Sequence, residues 1–164
     1  MKPGSDEIGA LKATLRQAMQ NQLRALSEAD RVVRSGRICA GIVDSPAWKA
    51  SKTVVLFSPL RSEPQIGNLP ITAEQSGKTT ILIPSTLRVE SELVMPHEPD
   101  LILVPGLAFS RDGHRLGRGG GFFDRFLAGR GAGAFKIGVC FAFQLLDALP
   151  TEPHDVIVNT VMTD

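Results

Sequence analysis

Tyrosine is absent from this chain of 164 residues, and Trp48 is its only tryptophan. No phenolic hydroxyl is available to any site, and Trp48, just after Ser45-Pro46, reads as a packing anchor on a short helix. Cysteine occurs twice, as Cys39 and Cys140, each in apolar surroundings and neither in a CxxC pair. That pattern favours buried reduced thiols over a disulfide or a reactive thiol. Long apolar runs are missing: the first residues hold no signal-like apolar stretch, and no segment approaches a membrane span. Net charge is only +1, so there is no general attraction to nucleic acid or to a membrane surface. The expected location is the cytoplasm. No GxSxG elbow is present and neither cysteine stands beside a histidine, which leaves no obvious side-chain nucleophile. Repeats, low-complexity tracts and linkers are also lacking. With 43% hydrophobic and 21% charged residues, residues 1–164 fit one soluble domain with a proper core.

What the chain does have is concentrated in the stretch Asp100 to Arg125. Leu101–Val104 is an apolar run too short for a helix and bounded by Pro105-Gly106, so it reads as a buried strand. Asp112-Gly113 marks a turn. Arg115-Leu116-Gly117-Arg118-Gly119-Gly120-Gly121 follows, and a helix is expected from Phe122 to about Leu127. Strand, glycine loop and helix form an arrangement that holds phosphate, because bare backbone amides can approach an anion. Arg115 and Arg118 add fork-shaped donors. Asp124, just inside the helix, is placed to reach a metal on that phosphate, or equally to serve as a helix N-terminal charge. No Lys-Ser/Thr follows the glycines, so this is not a Walker A loop, and the spacing does not match the dinucleotide fingerprint. A flexible loop or tight packing turn is the plainer alternative.

Elsewhere, residues 1–8 are polar and read as a frayed tail. The spacing Leu11, Leu15, Met19, Leu23, Leu26 predicts a helix from about Ile8 to Leu26, and Ser27 with Asp30 starts a second one to about Ile42. Lys12 and Arg16 are four apart and share a face, ordinarily a solvated stripe; Arg24, Arg31, Arg34 and Arg37 read as surface. Strands are expected at Thr53–Phe57 and Thr79–Ile83, with a helix from Asn68-Leu69-Pro70 to about Gln75 between them. Further on come a strand at Lys136–Phe141, a short helix at Gln144–Leu149 and a last strand at Val156–Met162. Alternating strands and helices predict an α/β fold in three layers, a mostly parallel sheet with helices on both faces, Rossmann-like.

Several of these stretches resemble the 5-formyltetrahydrofolate cyclo-ligase family, also called methenyltetrahydrofolate synthetases. PGLAF, RLGRGGG and the aromatic pair before Asp124 carry the likeness. So do Lys12-Ala-Thr-Leu-Arg16, Phe57-Ser-Pro-Leu-Arg-Ser-Glu63, Lys136-Ile-Gly-Val-Cys and the segment Gln144 to Asp155, in the right order over most of the chain. The resemblance implies a fold of the cyclo-ligase type and an ATP- and Mg²⁺-dependent ligase that closes 5-formyltetrahydrofolate to 5,10-methenyltetrahydrofolate. It implies nucleotide contacts at Lys12, Arg16, Arg115, Leu116, Gly117, Arg118, Gly119, Gly120, Gly121, Phe122 and Phe123. It implies folate contacts at Phe57, Glu63, Arg118, Gly119, Gly120, Gly121 and Phe122, and Mg²⁺ ligands at Asp124 and Asp155. Arg118, supported by Arg115, is expected to stabilise charge on the transferred phosphoryl group. The implied partner is a small folate, with no nucleic acid or membrane, and the chain is expected to be a monomer or weak homodimer.

Three departures from the family pattern stand out. Phe122-Phe123 replaces a pair that is usually tyrosine. Asn159 stands where an acid is usual. The segment 85–99 is short where the family usually carries a longer, folate-contacting insertion, and Met95, Pro96 and His97 are left to do part of the lost work. Two alternatives therefore stay open: a relative that kept the nucleotide site and changed its substrate or became regulatory, and a sugar-phosphate-binding module that uses the same loop.

Overall fold

The computed structural model describes residues 4–164. Three helices come first: α1 (Ser5–Ala25), α2 (Glu28–Asp44) and α3 (Pro46–Ala50). Strand β1 (Thr53–Phe57), helix α4 (Leu69–Gln75), strand β2 (Thr79–Ile83) and strand β3 (Leu101–Pro105) follow. Then come β4 (Ala108–Ser110), β5 (Arg115–Leu116), helix α5 (Phe122–Ala128), β6 (Phe135–Val139), β7 (Leu145–Leu146) and β8 (Thr160–Met162). Five strands form one sheet in the order β2-β1-β3-β6-β8, every neighbouring pair parallel.

The apolar runs dictate this sheet. β1 and β3 are buried along their whole length, as parallel strands covered on both faces must be. Alternate residues serve opposite faces. Val54, Leu56, Leu101, Leu103, Ile137 and Val139 pack with Leu23, Ile38, Trp48 and Leu69 from α1–α4. Val55, Ile102 and Val104 pack instead with Phe126 and Leu127 of α5. The helix starts are capped as the sequence predicts: the Ser27 hydroxyl accepts the Asp30 amide at 3.1 Å, and the Ser45 hydroxyl accepts the Trp48 amide at 3.2 Å. Trp48 is buried within the core under α3. Both cysteines are free and buried, and burial pushes the Cys140 thiol up to about 12. They are structural groups without thiolate chemistry.

Four expectations change. Helix α1 begins at Ser5, so the polar tail expected over 1–8 is helical from that residue; residues 1–3 lie outside the described residues. The helix expected at Gln144–Leu149 does not form. A single 3₁₀ turn, Ala142–Gln144, precedes β7, whose Leu145 and Leu146 pair with Phe109 and Ser110. Gln144 causes the switch: its Oε1 accepts the Phe141 amide at 2.8 Å, and its Nε2 donates to the carbonyls of Gly106 and Leu107 at 3.2 and 3.0 Å. The strand expected over Val156–Met162 shrinks to β8 because the Val158 amide bonds to Gly113 and the Asn159 amide bonds to Lys136. Finally, a hairpin of β4 and β5, antiparallel to each other, separates β3 from the glycine loop. Its turn needs Gly113: φ is +92°, and a Cβ would run into the Val158 carbonyl oxygen.

Candidate active site

A cleft of about 300 Å³ opens at the carboxyl ends of β1, β2 and β3, the place where open parallel sheets generally bind ligands. Its apolar walls are Phe57, Leu60, Ile83, Pro84, Leu87, Pro105, Phe122 and Phe123. Its polar groups are Glu63, Arg88, Arg115, Arg118, Asp124 and the loop Gly117, Gly119, Gly120 and Gly121. The fold thus gathers into one cavity most residues that the sequence singled out.

The glycine loop is gripped from both sides by its carbonyls. Arg16 Nε donates to the Gly117 carbonyl at 2.9 Å, and Arg125 Nη1 donates to the Gly120 carbonyl at 3.3 Å. In a planar trans peptide the carbonyl and the next amide point oppositely, so capturing these carbonyls turns the amides of Arg118 and Gly121 the other way. Among the described residues, the amides of Gly119, Gly120 and Gly121 donate to no protein acceptor. Gly119 and Gly121 have φ of +101° and +72°, which only glycine adopts without strain. Arg125 also donates to the Arg88 carbonyl at 3.3 Å and pairs with Glu90 at 3.0 Å, while Arg130 donates to the carbonyls of Glu90 and Leu93. The short segment 85–99 is thereby tied to the loop, and its Ser85, Leu87 and Arg88 form one wall of the cleft. Met95, Pro96 and His97 do not: they line a separate recess with Gly129 and Arg130.

Arg115 and Arg118 have opposite surroundings. The Arg115 side chain is 7% exposed. Its Nε donates to the Pro105 carbonyl at 2.7 Å, its Nη1 meets Asp124 Oδ1 at 3.1 Å, and its guanidinium lies 5.3 Å from the Phe123 ring centroid. Burial holds its proton affinity below the ordinary guanidinium range, against the opposing pull of Asp124, Glu63 and Asp155. Arg118 is more open: Nε meets Glu63 Oε1 at 3.1 Å and Nη2 meets the Ser62 hydroxyl at 3.3 Å. Glu63 is 5% exposed, and its other oxygen accepts the Leu60 amide at 2.8 Å. Leu116, expected at the nucleotide, is buried in the core instead: alternation along β5 turns its side chain inward when Arg115 faces the cleft.

Lys12 and Asp155 meet beside the site. Lys12 is 8% exposed, not part of a solvated stripe. Its Nζ donates to Asp155 at 2.9 Å and to Glu152 at 2.8 Å. Burial works against the charged lysine, but bonds to Glu152 and Asp155 outweigh it and raise its pKa. Burial also works against the Asp155 carboxylate, yet the Glu152 amide and Lys12 hold it below its ordinary value. Glu152, His154 and Asp155 place ligand atoms within 4.8 Å of one another, with Lys12 already bonded to two of the three. Neither Lys12 nor Asp155 lines the cleft. Sequence reasoning placed Arg31 at the surface, yet it is half-buried and its guanidinium donates to the carbonyls of Leu23, Leu26 and Ser62, which fixes the loop that carries Glu63. The same reasoning passed over Arg88, Arg125 and Gln144. Part of what each one does depends on a contact with a distant stretch, Arg31 with Ser62, Arg125 with Arg88 and Glu90, and Gln144 with Gly106 and Leu107, which leaves no local pattern.

The fold is thus a three-layer α/β sheet that carries, at the carboxyl ends of its strands, a glycine loop whose amides at Gly119–Gly121 are left unpaired among the described residues. A model of the 5-formyltetrahydrofolate cyclo-ligase family matches residues 88–164. A 5-formyltetrahydrofolate cyclo-ligase of Mycolicibacterium smegmatis is 53% identical over 66 residues, 40% of this chain and 34% of that one. The solved 5,10-methenyltetrahydrofolate synthetase of Aquifex aeolicus is 30% identical, with a TM-score of 0.76 over 93% of this chain and 89% of that one. The corresponding Mycoplasma pneumoniae structure, 24% identical, shares the fold with a TM-score of 0.79 over 93% of this chain and 98% of that one. The chain belongs to the 5-formyltetrahydrofolate cyclo-ligase family.

Proposed function

We propose that this protein closes 5-formyltetrahydrofolate to 5,10-methenyltetrahydrofolate at the expense of MgATP. One observation carries the reading: donors suited to phosphate and an apolar slot with a single buried acid share one cleft, so the phosphoryl donor and a flat ring system can lie side by side. The formamide oxygen is a poor leaving group. Its attack on the γ-phosphorus expels ADP, and N10 then attacks the formyl carbon. The C–O bond to the phosphate breaks, phosphate leaves, and N10 gives its proton to solvent. This route needs positioning and charge neutralisation more than a protein nucleophile.

Each residue has a part in that scheme. The amides of Gly119–Gly121 and the guanidinium of Arg118 bind the phosphates, and Arg118 takes up charge developing on the transferred group. Arg16 and Arg125 aim the loop. Arg115 holds Asp124 and stacks beside Phe123. Glu63 accepts hydrogen bonds from ring N–H groups, while Phe57, Leu60 and Phe122 exclude water from the apolar half. Asp124 suits Mg²⁺: its side chain is 45% exposed in the cleft, only Oδ1 meets Arg115, and magnesium uses few carboxylates beside phosphate oxygens and water. Bound there, the ion would neutralise phosphate charge. Asp155 is answered by Lys12, and in this scheme it keeps Lys12 beside the phosphate end of the cleft. The test is a mixture of the protein, 5-formyltetrahydrofolate and MgATP, followed in the near ultraviolet. Absorbance of the methenyl product should rise only with all three present. No rise, from protein that still binds MgATP, would refute the assignment of substrate.

A further inference from the structure

Glu63 and Arg118 come from opposite sides of the cleft, the loop after β1 and the glycine loop, and they bond to each other. Glu63 is almost fully buried and has two acceptor oxygens in use, one on Arg118 and one on the Leu60 amide. Arg118 is tethered twice to the same loop, through Glu63 and the Ser62 hydroxyl. An anion at the glycine loop competes for that guanidinium. Once Arg118 turns to the anion, one oxygen of a buried carboxylate loses its partner, which is costly unless another donor replaces it. Conversely, a ring whose N–H groups bond Glu63 must displace Arg118, which then needs an anion. Each event prepares the group that the other ligand uses.

We propose that the Glu63–Arg118 ion pair couples the two halves of the cleft, so that an anion on the glycine loop and an N–H-bearing ring system in the apolar half each bind more tightly when the other is present. This rests on the function proposed above. Linkage requires the effect to be reciprocal. It favours the complex with both ligands over either binary complex and so limits unproductive ATP hydrolysis. It assigns Glu63 a second task, that of clamping Arg118 until the ring arrives.

Calorimetry of the whole protein tests this by titrating 5-formyltetrahydrofolate with and without Mg²⁺ and a non-hydrolysable ATP analogue. Each ligand should tighten the other about tenfold, within the range usual for coupled sites. In Glu63→Gln, which cannot form the ion pair, the factor should fall below about twofold and the nucleotide alone should bind at least as tightly as to the native protein. Independent binding in the native protein would overturn the proposal, because it means that Arg118 serves the anion with its remaining N–H groups while still bonded to Glu63. A second measurement needs neither folate nor a variant. The Arg118 Nε–H resonance of the native protein is followed as magnesium tripolyphosphate is added. The proposal expects it to leave its carboxylate-bonded position as the anion binds. A resonance unmoved at saturation, or no anion binding at all, overturns the proposal. A moving resonance in protein that gives no heat with 5-formyltetrahydrofolate supports the release of Glu63 while refuting the folate substrate.

Discussion

Arg115 and Arg118 look equivalent in RLGRGGG, yet their variants should fail differently. Arg118 lines the cleft beside the glycine loop, so under the proposed function Arg118→Ala should lower kcat by roughly 10²–10³-fold, the usual cost of losing a donor to developing charge. Steady-state kinetics against melting temperature separates that loss from unfolding. Unchanged turnover would remove Arg118 from the chemistry. Arg115 is committed to the Pro105 carbonyl, Asp124 and Phe123. Arg115→Ala should therefore cost stability, about 3 kcal/mol, by stranding a buried carbonyl and releasing Asp124. A melting temperature within a degree of the native value would contradict that role. The sequence marks both arginines as anion donors but is silent on this division, because Pro105 and Phe123 become neighbours only after folding. The same holds for Leu116, whose inward orientation follows from a two-residue strand too short to leave a periodic signal.

Among the elements, the β4–β5 hairpin matters most to the site, since it delivers Arg115 and the glycine loop. Its turn depends on Gly113, with its left-handed φ and the Val158 carbonyl against it. Gly113→Ala should destabilise by about 2 kcal/mol or more, seen as a lower urea midpoint. An unchanged midpoint would mean that the turn tolerates a side chain. Elements with a local signal are legible in the sequence: α1, α2, β1, β2, β3 and β6 follow from apolar spacing, and the shorter α3, α4 and α5 from the Ser45 cap and from proline and glycine boundaries. The two- and three-residue strands β4, β5 and β7 are not. Leu145-Leu146 belongs to an apolar stretch that suits a helix in isolation, and it becomes β7 because Phe109-Ser110 offers a parallel partner and Gln144 is drawn towards Gly106 and Leu107. Tertiary hydrogen bonds override local preference there. Asn159, a departure from the family pattern, has a structural use: its Oδ1 accepts the Lys136 amide at 2.8 Å where β6 meets the last strand.

Over the whole molecule, the parallel sheet and its two covered faces follow from the continuous apolar runs, and the position of the cleft follows from the sheet. What the sequence did not reveal is the contact between its two ends, Lys12 of α1 with Glu152 and Asp155. Lys12→Met should cost about 2–4 kcal/mol, because two little-exposed carboxylates lose their cation. The pair also sets a pH window. Asp155 titrates below its ordinary 3.8, so its contribution is complete above that value and is lost as pH falls through the depressed one. Lys12 titrates above its ordinary 10.5, so its contribution is complete below that value and is lost as pH rises through the raised one. Melting temperatures across pH should show the native protein losing its advantage over Lys12→Met at both extremes. A difference constant from pH 3 to pH 11 would contradict the ion pair.

In the proposed function the loop at residues 117–121 and Arg118 grip a nucleotide's phosphates beside the apolar half of the cleft. Calorimetry of MgATP binding to the native protein and to Arg118→Ala tests it most directly. One site per chain is expected in the native protein, with at least tenfold weaker binding in the variant. No heat from the native protein, or equal affinity in both, would contradict it.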